Sequence, residues 1–392
     1  MAITTCTSTS EKRQAEVLKI CILSLVMAER GSELQYNTQD VGLGRAFAEL
    51  GHDVRVIHFE PFSSEVSEEM IDTGVTLQRV KSRHIGNNSI GIRHHLPTDV
   101  DMMICFSDIQ LSFVEVFRHC KAHGIKLYPY VGVIESHSRR RLVRAFMHVA
   151  KNVNLRLYKQ LPVIAKTTAV AKDLADTGID DVKVLPIGLD TTAFSNNIAN
   201  DRHSLRQACF EGIDDEAAIV MFVGKLTQKK RPLEAIDIFA RYSEQHSDSR
   251  MIIIGQGETY GELMQSVDER GLTSKIKVIS NIANSDMGNY YTAADVLLNC
   301  NHVEIFGMCI LEAMYHSCPV VAFAASGPKM IITHKVDGYL YETADEAVNL
   351  IAEAIKRGRL EEARDTVTRQ FTWTCPAQSI IAHYHSNDWQ QI

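Results

Sequence analysis

Short runs of β-branched and apolar residues alternate with longer amphipathic stretches along almost the whole chain. Parallel strands need a crossover connection, usually a helix, so this alternation predicts an α/β protein with doubly wound parallel sheets. The strand candidates are residues 17–26, 53–57, 75–80, 101–106, 126–133, 162–166 and 181–187, followed by 217–225, 250–257, 275–280, 294–300 and 319–323.

The strand candidates form two series, which a polar segment at 195–207 separates. With 392 residues, the chain is longer than one hydrophobic core usually serves. We predict Rossmann-like domains over 1–190 and 191–374, facing each other across a cleft, and a last helix over 375–392 that crosses back to the first domain. Ligands are expected in the cleft, at the carboxyl ends of the strands.

Composition and charge restrict the class of protein. A net charge of −7 argues against nucleic acid as the main partner. The nine cysteines include no CxxC pair, which predicts reduced, buried thiols. The N-terminus has no apolar signal core, and no apolar run is long enough to span a membrane, so a cytoplasmic location is expected.

The stretch NHVEIFGMCILEAM (301–314) places Glu304 and Glu312 on either side of a Phe-Gly pair, on the turn between a predicted strand and a predicted helix. Gly307 lets the backbone approach a ligand, and the free amides that open the helix suit anionic oxygens. Two carboxylates fit such a place if they accept hydrogen bonds from hydroxyl groups of one ligand. Alternatively, Glu304 is a surface residue and Glu312 a helix-start acid.

Cations follow another predicted strand. Gly224 and Lys225 end the first strand of the second series, and Lys230 lies in the loop before the next helix. Two cations at strand and helix ends suit a diphosphate. The alternative is a solvated surface loop.

The second half of the chain resembles the donor domain of family 4 retaining glycosyltransferases of the GT-B fold. The resemblance is carried, in this order, by VGKLTQKK, IIIGQG, NYYTAADVLLNCNHVEIFGMCILEAMYHSCPVVAF and DGYLYE, with Glu-x7-Glu as the core of the pattern. Earlier, VGLGRAFAELGHDVRVI and KVLPIGLDTTAF resemble phrases of the family's first domain, and FTWTCPAQSIIAHY resembles its crossing helix. The resemblance therefore extends over nearly the whole chain.

The resemblance implies roles for individual residues. Lys225 and Lys230 would bind the donor diphosphate, although the family more often has Arg at the first position. Glu304 would contact the donor sugar, and Glu312 would hold ribose hydroxyls. The amides of Phe306, Gly307, Met308 and Cys309 would line sugar and phosphate, and Ile282 would touch the base.

The first domain departs from the family pattern. Many relatives carry a Gly-Gly loop after the first strand, where this chain has Gly31 and Ser32. Many also carry a histidine at the end of the strand at 126–133, where this chain has Gly132. His137 is the candidate substitute, and the alternative is that it is a polar loop residue at a helix start.

Residues 136–172 contain nine Lys or Arg and no acidic residue, with apolar residues at helical spacing (Leu142, Phe146, Met147, Ala150, Val153, Leu157). A basic amphipathic helix over 139–160 could contact the inner face of a membrane or receive a phosphate-bearing acceptor. The simpler alternative is an apolar face packed on the sheet, with solvated cations outside.

The resemblance implies transfer of a sugar from a nucleotide-sugar, UDP being the expected nucleotide, to an acceptor hydroxyl with the anomeric configuration retained. Neither a metal nor another cofactor is expected. Two alternatives remain: a nucleotide-sugar epimerase on the same scaffold, and a non-catalytic partner of an active glycosyltransferase.

Overall fold

The computed structural model describes residues 16–25, 39–60, 67–86, 88–108, 110–134, 141–194 and 201–388. Two compact units divide the chain: the first holds the described residues up to Asp190 and from Thr372 onward, and the second runs from Thr191 to Phe371. Each unit is an α/β layer structure around one main sheet. The predicted fold class, α/β with two doubly wound domains, is confirmed, and the last helix belongs to the first unit.

Strands alternate with helices along both units. The strands are β1 Lys19–Ser24, β2 Asp53–Glu60, β3 Ser67–Asp72, β4 Val75–Lys81, β5 Arg83–Ile85, β6 Asn88–Ile90, β7 Met102–Phe106, β8 Lys126–Val131, β9 Val163–Ala165, β10 Val182–Val184, β11 Ile219–Val223, β12 Arg250–Ile254, β13 Ile276–Ile279, β14 Val296–Asn299, β15 Val320–Phe323 and β16 Tyr339–Tyr341.

The helices are α1 Gln39–Glu49, α2 Phe113–His123, α3 Arg141–Tyr158, α4 Thr168–Ala175, α5 Arg202–Cys209, α6 Pro232–Gln245, α7 Tyr260–Glu269, α8 Met287–Ala293, α9 Met308–Tyr315, α10 Ser326–Ile331, α11 Ala344–Arg357, α12 Glu361–Gln370 and α13 Thr374–Ser386. Short 3₁₀ turns lie at Arg93–His95, Thr191–Phe194 and Asn284–Asp286.

The main sheet of the first unit has the order β10-β9-β8-β7-β1-β2-β4-β3. All neighbouring strands are parallel except β3 and β4, which pair antiparallel at the edge. Central strands such as β7 are buried along their whole length, because helices cover both faces of a parallel sheet. β3 was not predicted, because its sequence SEEMID is polar and largely exposed and carries no apolar pattern. The small hairpin of β5 and β6 was also missed.

The sheet of the second unit has the order β13-β12-β11-β14-β15-β16 and is parallel throughout. Strand order therefore reverses between β11 and β14, which is the topological switch point of a doubly wound sheet. Both strands are fully buried, so they fix the positions of the loops that follow them. The predicted residues Lys225, Lys230 and Glu304 lie in these two loops.

Most of the predicted thiols are free and buried. Within the described residues, the free cysteines are Cys21, Cys105, Cys120, Cys209, Cys300, Cys309 and Cys318. Cys375 is disulfide-bonded, so the expectation of reduced thiols throughout is wrong for this residue.

Gly188 offers a test of packing in the first unit. A Cβ at residue 188 would lie 2.6 Å from the carbonyl carbon of Thr372, where Leu189 and Thr372 form a β-bridge. We expect Gly188→Ala to lower the free energy of unfolding by roughly 1–3 kcal/mol, because the backbone must move to admit the methyl group. Urea unfolding measures this change.

Gly261 is the matched control, because a Cβ there meets no atom within 4 Å and the residue lies in α7. Gly261→Ala is expected to leave stability unchanged or raise it by up to about 1 kcal/mol. Equal destabilisation by both substitutions would contradict this account of the packing.

Candidate functional site

The site lies where the loops after β11 and β14 meet. Lys230 comes from the loop between β11 and α6, and Glu304 comes from the loop between β14 and α9. The Lys230 ammonium donates to Glu304 Oε2 at 2.7 Å. The predicted cation and the first predicted carboxylate are thus brought into direct contact at the switch point of the sheet.

Glu304 is held from several sides. Its side chain also accepts a hydrogen bond from Asn301 Nδ2, again at Oε2 and at 2.9 Å. Its backbone oxygen accepts from the amide of Gly327 at 2.9 Å and from the hydroxyl of Ser326. Because both side-chain bonds go to Oε2, Oε1 has no protein donor among the described residues. This fixed carboxylate can therefore accept a hydrogen bond from a ligand hydroxyl.

Gly307 sets the start of α9. Its φ is 107°, in the region that favours glycine, and it stands at the N-cap position of the helix. The amides of Met308 and Cys309 follow in the first turn, where backbone N–H groups have no partner within the helix. The predicted amide set therefore opens a helix beside Glu304, as an anion site requires.

Cys309 shows that the charged groups share one region. Its thiol accepts a hydrogen bond from Asn299 Nδ2 at 3.6 Å. Burial raises the pKa of the Cys309 thiol to about 12. The positive charge of Lys230 lowers this pKa, and the negative charges of Glu304 and Glu312 raise it further. All three charged side chains thus lie within electrostatic range of a single sulfur atom.

Glu312 is almost completely enclosed. Its side chain is 2% exposed, and Oε2 accepts a hydrogen bond from the hydroxyl of Tyr291, on α8, at 2.7 Å. Burial raises the pKa of Glu312 from 4.5 to about 7, and the Tyr291 hydrogen bond opposes the rise. The alternative of a helix-start acid is wrong, because α9 begins at Met308 and Glu312 lies beyond its first turn.

Two glycine loops interlock behind Lys230. A Cβ on Gly255 would lie 3.0 Å from the carbonyl carbon of Gly224, and one on Gly257 would lie 2.7 Å from that of Leu226. The Leu226 amide donates to the carbonyl of Gln256 at 2.9 Å. The absence of side chains at Gly255 and Gly257 lets this loop lie directly against the backbone of Gly224 and Leu226.

Within the part of the chain that the structure describes, the side chains of the other predicted residues form no hydrogen bond with Lys230 or Glu304. Lys225 is exposed, and its side chain has no hydrogen-bond partner among the described residues. Ile282, 9% exposed, follows β13, which β12 separates from β11. Phe306 is 6% exposed and packs edge-on against Phe371. Gly31 and His137 lie outside the described residues.

Sequence reasoning missed Asn301, Ser326 and Tyr291. Asn301 follows the predicted strand within the quoted motif, so its position was a usable signal. Ser326 and Tyr291 lie in other elements, and only the packing of α10 and α8 brings them to Glu304 and Glu312.

The basic helix is α3, and side chains are described from residue 147 onward. Asn154, Leu155 and Tyr158 are buried, whereas Val149 and Val153 are 61% and 38% exposed. The predicted apolar stripe is therefore displaced, because Val153 faces outward while Asn154 donates to the carbonyl of Gln110 at 3.0 Å.

No helix in the part of the chain that the structure describes is long and apolar enough to cross a membrane. Across the same residues, no three His, Cys, Asp or Glu side chains cluster as metal ligands would. Metal independence and membrane contact both stay predictions.

The raised pKa of Glu312 generates a pH prediction. A carboxyl whose pKa is higher in the folded state favours folding when protonated, so the wild type should lose stability as pH rises from 4.5 to about 7. Glu312→Gln should lack this loss, and its stability relative to the wild type should rise by roughly 3 kcal/mol across that window. Urea unfolding at a series of pH values measures it.

Tyr291→Phe tests separately how this hydrogen bond affects the pKa of Glu312. This substitution removes the hydrogen bond that lowers the pKa of Glu312, so the loss of stability should continue to higher pH than in the wild type. Parallel pH profiles for the wild type and Glu312→Gln would contradict the burial of an ionisable Glu312.

The second half of the chain resembles known glycosyltransferases in sequence. Residues 207–370 match the family "Glycosyl transferases group 1". A D-inositol 3-phosphate glycosyltransferase of Xylanimonas cellulosilytica is 25% identical over 238 residues, which are 57% of this chain and 56% of that protein. An N-acetyl-alpha-D-glucosaminyl L-malate synthase of Bacillus anthracis is 24% identical over 182 residues, which are 45% of this chain and 46% of that protein. The chain thus spans about half the length of these relatives.

Solved structures extend the similarity to the fold. Sucrose-phosphate synthase from Thermosynechococcus elongatus has a TM-score of 0.70 and 16% identity, covering 94% of this chain and 99% of that one. Anabaena HepE in complex with UDP-glucose has a TM-score of 0.69 and 19% identity, covering 94% and 100%. The resemblance predicted from the motifs is confirmed: residues 207–370 match the group 1 glycosyl transferases, and the chain has the GT-B fold.

Proposed function

We propose that this chain transfers a sugar from a nucleotide-sugar, a UDP-sugar, to an acceptor hydroxyl with the anomeric configuration retained. The second unit would bind the donor and the first unit the acceptor, without a metal ion. The enzyme would work in the cytoplasm.

One observation carries this proposal: the hydrogen bond between Lys230 and Glu304, beside the start of α9, at the switch point of the second sheet. A cation, a carboxylate and free helix amides in one place suit a ligand that has both phosphate oxygens and hydroxyls. A nucleotide-sugar is such a ligand. HepE, a structural neighbour, has been solved with UDP and with UDP-glucose, which supports UDP as the nucleotide.

The ion pair is compatible with phosphate binding. An ammonium has three donors, so Lys230 can keep its bond to Glu304 and still donate to the diphosphate. As the bond between sugar and diphosphate breaks, negative charge grows on the diphosphate. Lys230 and the amides of Met308 and Cys309 would stabilise that charge, and they are already in position before the reaction.

The two carboxylates would have separate tasks. Glu304 Oε1 would accept from a hydroxyl of the donor sugar, since Oε2 is already occupied by Lys230 and Asn301. Glu312 would accept from the ribose hydroxyls while Tyr291 holds it. Proton transfer from the acceptor hydroxyl would go to the leaving diphosphate.

The acceptor is less defined. The relatives named above act, by their names, with inositol 3-phosphate and L-malate, which both carry negative charge. This favours an acceptor bearing a phosphate or a carboxylate near the reacting hydroxyl. The basic helix over 139–160 remains open to membrane contact, as an alternative to its packing role.

Two alternative functions, a nucleotide-sugar epimerase and a non-catalytic partner, can each be distinguished by experiment. An epimerase would convert a UDP-sugar in the absence of any acceptor, which NMR of the sugar would detect. A non-catalytic partner would release no nucleotide with any donor and acceptor pair. Retention would appear in the anomeric coupling constant of the product, and unchanged activity in EDTA would support metal independence.

Lys230→Met should weaken UDP binding roughly 10- to 100-fold, because a charge-assisted hydrogen bond is worth about 1.5–3 kcal/mol. A thermal-shift titration with UDP, GDP and ADP measures binding, each variant being compared with its own midpoint without nucleotide. At a hundred times its dissociation constant, the correct nucleotide should add about 2.7 kcal/mol to stability.

Lys229→Met is the matched control, since Lys229 is an exposed neighbour in the same loop. It should bind UDP like the wild type. Negligible shifts of the wild type with every nucleotide, or equal effects of the two substitutions, would count against a donor site at Lys230.

Glu304→Gln should separate sugar from nucleotide recognition. The variant should keep the thermal shift with UDP but lose the additional shift that the correct UDP-sugar gives the wild type, because an amide cannot replace the carboxylate as an acceptor for both Lys230 and a hydroxyl. Glu258→Gln, in an exposed position, is the control. A Glu304→Gln protein that still prefers the UDP-sugar would show that Glu304 does not contact the sugar.

A further inference from the structure

Lys166 crosses the carboxyl edge of the first sheet. It is the residue after β9, and its amide donates to the carbonyl of Val131 on β8 at 2.9 Å. Its ammonium lies 5.2 Å from the ring centre of Phe106, on β7, and 5.9 Å from that of Tyr130, on β8. The side chain therefore spans from β9 over β8 to β7.

Gly132 makes this route possible. A Cβ on residue 132 would lie 2.7 Å from Cδ and 3.1 Å from Nζ of Lys166. Any side chain at residue 132 would therefore displace the lysine. The stem of Lys166 therefore occupies the space that a side chain at residue 132 would need.

The carboxylates near Lys166 already have other donors. Asp108 Oδ1 accepts from the amides of Gly132 and Val133 at 2.8 and 2.9 Å. Asp40 accepts from His58 at 2.7 Å and from the Val41 amide at 2.9 Å. Among the described residues, neither carboxylate comes within ion-pair distance of Lys166. Asp108 and Asp40 thus accept hydrogen bonds from groups other than Lys166.

The Lys166 ammonium, in contrast, has no hydrogen-bond acceptor among the described residues. Burial lowers the pKa of Lys166, while the charges of Asp108 and Asp40 oppose this. Among the described residues only the two aromatic faces lie close to this half-buried ammonium, and they offset only part of the cost of removing it from water. An acceptor supplied by a ligand would recover more.

The position is also that of a ligand site. In the first sheet, strand order reverses between β1 and β7, which makes this pair the switch point. Asp108 follows β7, and Asp40 lies on α1, which follows β1 along the chain. Since Lys166 interacts electrostatically with both, its ammonium lies at the carboxyl end of this pair of strands.

We propose that Lys166, crossing over Gly132 at the switch point of the first sheet, binds an oxyanion, a phosphate or a carboxylate, of the acceptor substrate. This inference rests on the proposed function and adds the residue and the chemical group by which the acceptor is recognised. Phosphate and carboxylate share the chemistry that a lone ammonium selects, namely negatively charged oxygens.

The test reads Lys166 directly in the full chain. Reductive methylation with ¹³C-formaldehyde gives each lysine an NMR signal, and Lys166→Met identifies the one that belongs to Lys166 by its absence; Lys166→Arg serves if the Met variant does not fold. Inorganic phosphate, added with saturating UDP present, should move this signal to a plateau and raise its titration midpoint. Neutral myo-inositol should not move it.

Lys172 is the matched control, because it lies on the following helix, α4, and is exposed in a surface pair with Asp176. Its NMR signal should show only the small change that the added ionic strength causes, without reaching a plateau. Equal responses of the two lysines, or an unmoved Lys166 signal, would overturn the inference.

A second measurement separates the two proposals. Lys166→Met should keep the full thermal shift with UDP, because the donor site lies in the other unit. If the wild type shows no UDP shift, the proposed function fails whatever Lys166 does. If the UDP shift is present and Lys166 ignores phosphate, only the acceptor inference fails.

Discussion

The bond between Lys230 and Glu304 is the interaction on which the site of the second unit depends. It joins two loops that are far apart in sequence but follow adjacent strands, β11 and β14, in the sheet. A carboxylate that is largely buried needs a partner, and a lysine in a glycine-bordered loop can reach it. Because Asn301, Ser326 and Gly327 also hold Glu304 or its backbone, the carboxylate is oriented before any ligand binds. A carboxylate held in this way can accept a hydrogen bond from a ligand without first being reoriented.

The sequence predicted the buried strands well because a parallel sheet covered on both faces leaves continuous apolar runs, as in β7 and β11. It did not reveal β3, whose residues are polar and exposed at a sheet edge. Lys230 and Glu304 could be predicted because strand ends are visible in sequence and meet at one edge of a sheet. The enclosure of Glu312 could not, since it depends on how α8 packs on α9 and where Tyr291 falls. Lys166 stood within a run of basic residues, and nothing in that run distinguished it.

The two units use glycine in a comparable way. Gly132 leaves room for the stem of Lys166, and a Cβ on Gly224 would contact the stem of Lys230 at 3.8 Å. In both cases a lysine passes over a glycine that follows a buried strand; a Cβ would displace the lysine at Gly132 but would only touch it at Gly224. The contact is close at Gly132 and looser at Gly224, so the first unit tolerates less change at this point.

The interlocked loops after β11 and β12 have a consequence for redesign. Gly255 and Gly257 are in contact with the backbone of Gly224 and Leu226, so neither loop can be exchanged while the other keeps its sequence. A chimaera with a relative would have to import both segments together. Variation between natural relatives should then occur in the two segments together, as linked insertions or joint replacements.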